Sequence, residues 1–146
     1  RVPAEGQREI WMQSTSGLTT IRSELGARET MDRLEELVRA RGATVFARID
    51  HAAGARAQGL QLRSTELLIF GDARVGTRLM QDAQTLGIDL PLRALVWEDE
   101  SGGVWLAYDE PGWLAARHGS SEAVASVTRA MAAALAELSA RATRPG

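Results

Sequence analysis

The sequence predicts a two-layer α+β domain. A mainly antiparallel sheet of about five strands carries two long helices, over 29–41 and 121–141, on one face. Three observations point to it. Two apolar runs, 67–70 and 92–97, are each bounded by turn residues and too short for free-standing helices, so they read as core strands bracketing a segment with helical spacing. Three further short segments, 18–23, 43–50 and 104–108, read as strands, with Val45, Ala47 and Ile49 alternating with Thr44, Phe46 and Arg48 in the second and Val104, Leu106 and Tyr108 sharing one face in the third. Two longer stretches repeat their apolar residues every three to four positions, which suits helices laid across a sheet.

Composition bounds the function. The chain has 146 residues, enough for one domain with a real core, and its 45% hydrophobic and 25% charged residues are globular averages. A net charge of −2 and a pI near 5.7 predict no general affinity for nucleic acid or acidic membranes. All 17 basic residues are Arg, so Schiff-base chemistry and a P-loop lysine are excluded. With no Cys, disulfides, thiolate nucleophiles and Cys-ligated metal centres are excluded as well. No apolar run approaches the roughly 20 residues of a spanning helix. The first residue is Arg1, which leaves both a cytoplasmic and a periplasmic location open.

Taken in order, residues 1–16 are polar with no sustained period and read as a tail, with Ile10, Trp11 and Met12 able to dock on the body. The single domain then spans 17–142, and 143–146 form a C-terminal tail. The strand at 18–23 sets Leu18, Thr20 and Arg22 on one face and Thr19 and Ile21 on the other. In the first long helix Met31, Leu34, Leu37 and Val38 form the apolar stripe, with Glu29–Arg33 and Glu35–Arg39 as i,i+4 pairs and Gly42 as the stop. After the strand at 43–50, Asp50 is placed to cap a short Ala-rich helix that begins at His51. In the strand at 65–70, Glu66 shares a face with Leu68 and Phe70. If buried there it needs a partner, and Arg48 or Arg93 on neighbouring strands can supply one.

Gly71 breaks that strand, and Asp72 caps a helix carrying Val75, Leu79, Met80 and Ala83. The segment LGIDLP returns the chain to the strand at 92–97, and EDESGG makes a hairpin to Val104, Leu106 and Tyr108. Pro111 opens a brief helical stretch ending at His118 and Gly119. Ser120 or Ser121 caps the last helix, whose stripe is Val124, Val127, Met131, Leu135 and Leu138.

Several groups invite chemistry. His51 and His118 are the only histidines, and with Met80 or Glu66 they could ligate a metal or haem iron, although no H-x₃-H spacing is present. The turn FGDARVG sets Gly71, Arg74 and Arg78 around a helix start, an arrangement that can hold an anion. It lacks a Walker or Rossmann pattern, and Asp72 competes for the same N–H groups. Glu98, Asp99 and Glu100, with Asp109 and Glu110, flank the hairpin as a candidate cation site or acid–base pair, or simply as a solvated approach. No serine sits in a G-x-S-x-G elbow.

The stretches VFARIDHAAGA, TELLIFG, GTRLMQ, DLPLRALVWED and VWLAYDEP, with AARHG after them, resemble the bacterial domain-of-unknown-function family 302. The resemblance covers roughly 17–138. The chain departs from it at Asp72-Ala73, where the family often has Asn-Pro, at Arg78, where it has Pro, and at Asp109-Glu110, where it has Asn-Asp. The resemblance implies a compact α+β homodimer and no activity. It carries over no catalytic residue, only matched positions such as His51, Glu66, Gly71, Met80, Trp97 and His118.

The reading is therefore a small-ligand-binding or sensory homodimeric domain without committed catalysis, its pocket formed by Asp50, His51, Glu66 and His118. The homodimer also answers to an apolar content that two helices do not fully cover. The alternatives are a metal- or haem-dependent enzyme using His51 and His118, and a pure assembly domain. No cofactor is named by any motif.

Overall fold

The computed structural model describes residues 12–15 and 17–146. Its centre is the antiparallel unit expected from the two apolar runs, β4 (Thr65–Gly71) and β5 (Leu92–Glu98), paired from Thr65–Trp97 to Phe70–Leu92. The 99–103 hairpin adds β6 (Val104–Asp109) to β5, and β2 (Leu18–Ser23) lies on its far side. At the other end β3 (Thr44–Asp50) pairs with β4, with a bulge between Val45 and Ala47. Every pairing is antiparallel.

The sheet has six strands in the order β1-β2-β6-β5-β4-β3, one more than the sequence suggests. The addition is β1 (Met12–Thr15), which falls within the expected tail and pairs with β2. Its four polar-rich residues show no alternation to betray a strand, because an edge strand takes its order from ladder hydrogen bonds. Ile10 and Trp11, the other docking candidates there, lie outside the described residues. The tail expected at 143–146 is corrected at its first residue. Thr143 is buried, its hydroxyl donates to Ser139 O at 2.8 Å, and its own carbonyl accepts from Glu24 N–H at 2.8 Å.

Helices α1 (Ala27–Ala40) and α5 (Ala125–Ala142) cover one face. Met31, Leu34 and Val38 of α1 and Leu135, Leu138 and Ala142 of α5 close on Leu68, Phe70, Val96, Leu106 and Tyr108, the inward residues of three strands. At about 25 cal/mol per Å² of apolar surface, burial of such side chains is the main stabilising term. Of the two expected ion pairs on α1, Glu35–Arg39 forms at 2.9 Å, whereas Arg33 donates to Arg141 O instead. Gly42 ends the helix with φ +85°, the left-handed conformation that a side chain would strain. From Glu122 to Ala142 the last helical segment is long and apolar enough to cross a membrane by length and composition alone, which the run of apolar residues did not suggest. Here its stripe is spent on the core.

A smaller apolar cluster joins α3 (Ala73–Asp82), the 3-10 turn Gln84–Ile88, α4 (Pro111–Arg117) and the start of α5, through Leu79, Leu86, Leu114, Val124 and Val127. Ser121 caps the short 3-10 turn that leads into α5, accepting from Ala123 N–H. The opposite sheet face carries Ile49, Leu67, Ile69, Leu95, Trp97 and Trp105, and the two Trp rings stack at 6.5 Å.

Candidate functional site

Where the two apolar clusters meet, they do not close. A cavity of about 690 Å³ opens between α3, α5 and the near ends of β4 and β5. Phe70, Val75, Met80, Leu90 and Leu92 form one side, with Val127, Met131 and Leu135 on the other. The space exists because small residues face it: Gly76 on α3, and Ala130 and Ala134 on α5. A Cβ built on Gly76 would touch only Met80 Cε at 3.8 Å and Leu90 Cδ1 at 3.9 Å. Leu90–Pro91, a cis peptide, forms the turn at its edge. Its polar groups are few: Arg41, Asp72, Thr77, Arg78 and Ser126.

The expected pocket of Asp50, His51, Glu66 and His118 does not assemble. Asp50 and Glu66 are cross-strand partners, but each is engaged. Asp50 caps α2 (His51–Ala57), accepting from Ala53 N–H at 2.9 Å, as its position promised. Glu66 receives two bonds from Arg48, Nε to Oε2 at 2.7 Å and Nη2 to Oε1 at 3.1 Å. Arg48 also donates to Asp32 and Glu35 of α1, and these carboxylates, Glu66 above all, raise its pKa against the cost of burial. Arg39 first, and Arg48 after burial has pushed the other way, hold Glu35 below the usual carboxylate range. His51 is exposed in the first turn of α2.

His118 lies toward the opposite end of β5. Glu66 pairs with Val96, near the end of that strand, whereas the partner of His118 is Asp89, three residues before its start. The two histidines therefore cannot share one metal or haem iron, and Met80 packs in the apolar cluster beside the cavity. No group of three or more His, Asp or Glu side chains among the described residues is arranged to hold a metal ion.

Sequence reasoning passed over Asp89, a carboxylate only 6% exposed. His118 Nε2 lies 2.5 Å from its Oδ2, Arg117 Nη1 donates at 2.9 Å, and Arg93 Nη2 stands 3.6 Å away. Burial pushes the Asp89 carboxyl up, but the His118 bond and the surrounding cations hold it below the ordinary range. On the other side of the ring, His118 Nδ1 lies 2.8 Å from the Thr85 hydroxyl. Hydroxyl, imidazole and carboxylate stand in the order of a nucleophile relay. Asp89 is shared with guanidinium groups, however, and Thr85 does not line the cavity. The unit ties the 84–88 turn to the end of α4. A signal was present: one acid inside the apolar stretch LGIDLP, in a chain with only two histidines.

The anion site expected at Gly71, Arg74 and Arg78 is corrected in part. Asp72 occupies the start of α3, accepting from Arg74 N–H at 2.9 Å and pairing with the Arg74 side chain at 3.3 Å. Those contacts lower its pKa, and its negative charge stands where an anion would sit. Arg74 is thus committed. Gly71 and Arg78 line the cavity, and Arg78 makes no hydrogen bond or ion pair among the described residues. The acidic hairpin also resolves into structure: Asp99 accepts from Ser101 N–H, Gly103 N–H and Trp105 Nε1–H at 2.8 to 2.9 Å.

Comparison with known proteins agrees with this fold. A crystal structure of the uncharacterized conserved protein DUF302 from Bacillus stearothermophilus superposes with a TM-score of 0.78 over 89% of this chain and all of that one, at 20% identity. Curated relatives include the Fluoride-specific ion channel FluC 1 of Brucella suis biovar 1 and of Brucella abortus biovar 1, each 52% identical over 103 residues. The match takes in 70% of this chain but only 41% and 38% of those proteins, so the chain spans about two fifths of their length. The family profile of the Domain of unknown function DUF302 covers residues 19–138, from β2 to Leu138 in α5, and the chain belongs to that family.

Proposed function

We propose that this domain binds a small apolar or amphipathic molecule between α3 and α5, without committed catalysis. The observation that carries the reading is the cavity of about 690 Å³, apolar over most of its wall and polar only at a few rim positions. That volume and that lining are usual for small-molecule sites. The Asp89–His118 unit, the Asp50 cap and the Arg48–Glu66 pair all serve the fold, so the site moves from the expected pocket to the cavity.

The test is binding of Nile red, a neutral hydrophobic dye, to the native protein and to Gly76→Leu. Leucine at this helical position extends into the cavity and improves helix propensity over glycine. Dye affinity should fall about ten-fold or more with the melting temperature maintained, since a filled cavity offers less surface to the dye. Equal dye binding by both proteins would end the reading.

The domain is also proposed to act as a homodimer. Support comes from the outer sheet face, where Ile49 on β3 is 40% exposed and Trp97 and Trp105 stack on β5 and β6. Closed two-fold dimers are the commonest assemblies. Sedimentation at micromolar concentration should give twice the 15.8 kDa chain mass. In the Brucella relatives the matched region is a minority of a protein named as a fluoride channel, an arrangement that suits a sensing role for the domain; conduction is not carried over to this chain.

A further inference from the structure

We infer that the ligand of this cavity is an amphipathic anion, a carboxylate with an apolar chain, whose head is held by Arg78 while the chain lies along α5. The inference rests on the cavity reading and adds the charge of the ligand to it.

The lining charges are asymmetric. Arg78 projects from α3 beside the cavity and has no ion-pair partner among the described residues. Arg41, at the end of α1, reaches the same rim, and its one ion pair is an exposed contact with Glu137 at 3.2 Å. The single acid in the lining, Asp72, is already held by Arg74 and by the helix start. The rim thus offers two cations, one of them unengaged, and no free carboxylate. It is complementary to an anion and repels a cation.

A guanidinium binds a carboxylate through two parallel N–H bonds, a geometry that an ammonium cannot offer. Away from the rim the wall is Phe70, Leu90, Met131 and Leu135, with no charged group among them. An apolar chain satisfies that wall. Met80 and Met131 are unbranched and adapt to chains of different shape. A small inorganic anion would leave the apolar wall wet, and a neutral hydrocarbon would leave Arg78 unused.

The experiment measures displacement of Nile red by decanoate, decanol and decyltrimethylammonium, in the full chain and in Arg78→Ala, with Arg56→Ala on the distant α2 as control. Decanoate should bind about ten-fold tighter than decanol, as a charge-assisted bond to an exposed guanidinium allows. Arg78→Ala should erase that preference and leave decanol unchanged, and Arg56→Ala should change neither. Added salt should weaken decanoate alone. Equal affinity of decanoate and decanol in the native protein overturns the anion but leaves the cavity reading standing. Tightest binding of the cationic amphiphile overturns it too. Failure of all three to displace the dye removes the cavity reading itself. Co-sedimentation with phosphatidylglycerol vesicles without displacement by decanoate would make the occupant a membrane surface, and that also overturns the proposal.

Discussion

Arg48 on β3 grips Glu66 on β4 with two parallel hydrogen bonds, diagonally across a strand pair rather than directly opposite. Glu66 is the acid that shared a face with Leu68 and Phe70 in the sequence, and Arg48 is one of the two partners it could reach. Both side chains are mostly but not fully buried. Glu66→Gln should therefore cost about 1–2 kcal/mol, between the near-zero value of an exposed pair and the several kcal/mol of a buried one. Arg48→Ala should cost more, because it leaves Glu66, Asp32 and Glu35 facing one another. Urea midpoints read both, and an unchanged Glu66→Gln midpoint contradicts the pair.

Asp89 gives stability an acid limb. Its native pKa lies below the unfolded value of about 3.9. A depressed carboxylate contributes stability that is complete above its unfolded pKa and is lost as pH falls through its native one. The melting temperature should drop below about pH 4, and Asp89→Asn should flatten that drop while lowering stability near neutrality by roughly 2 kcal/mol. A variant with the native acid limb would show that Asp89 does not drive it.

The hairpin is clamped by Asp99, whose carboxylate gathers the indole N–H of Trp105 and two loop N–H groups. The Trp105 bond first, and then the Gly103 N–H, lower its pKa despite a small opposing effect of burial. Asp99→Asn should lower the melting temperature and shift tryptophan emission to the red, as Trp105 loses its anchor beside Trp97. Unaltered emission would mean that the stacked pair is held without Asp99.

His51 was expected to capture ligand. Exposed in a helix first turn and remote from the cavity lining, it should tolerate alanine within about 0.5 kcal/mol, as surface positions do. Nile red affinity should be unchanged in His51→Ala. Loss of dye binding there would return the site to the end of β3.

Much of the fold was legible because one face is buried and the strand period is strict. Val104, Leu106 and Tyr108 share one face of their strand, as Leu68 and Phe70 do of theirs, and both faces turn to the core. The Gly42 stop and the Asp50 cap were readable because each depends on one residue's local chemistry. The cavity was not, since it is an absence of side chains produced by Gly76, Ala130 and Ala134, which come together only when α3 meets α5. Asp89 and His118 are 29 residues apart, and no period links them. Gly17 shows the same limit: at φ +82° it passes so near Trp113 that any Cβ would overlap the indole, a contact no local pattern announces.

The bulge in β3 bears on how molecules of this protein can stick together. Phe46 is the extra residue there, 54% exposed and outside the ladder, and two residues on Arg48 turns its charge in toward α1. β3 is an edge strand, the kind of border on which a foreign strand can grow. An interrupted row of N–H and C=O groups is a poor template for one. This border is thereby a poor site for aggregation by strand addition. Deleting Phe46 would restore a regular row and expose the domain to that kind of growth.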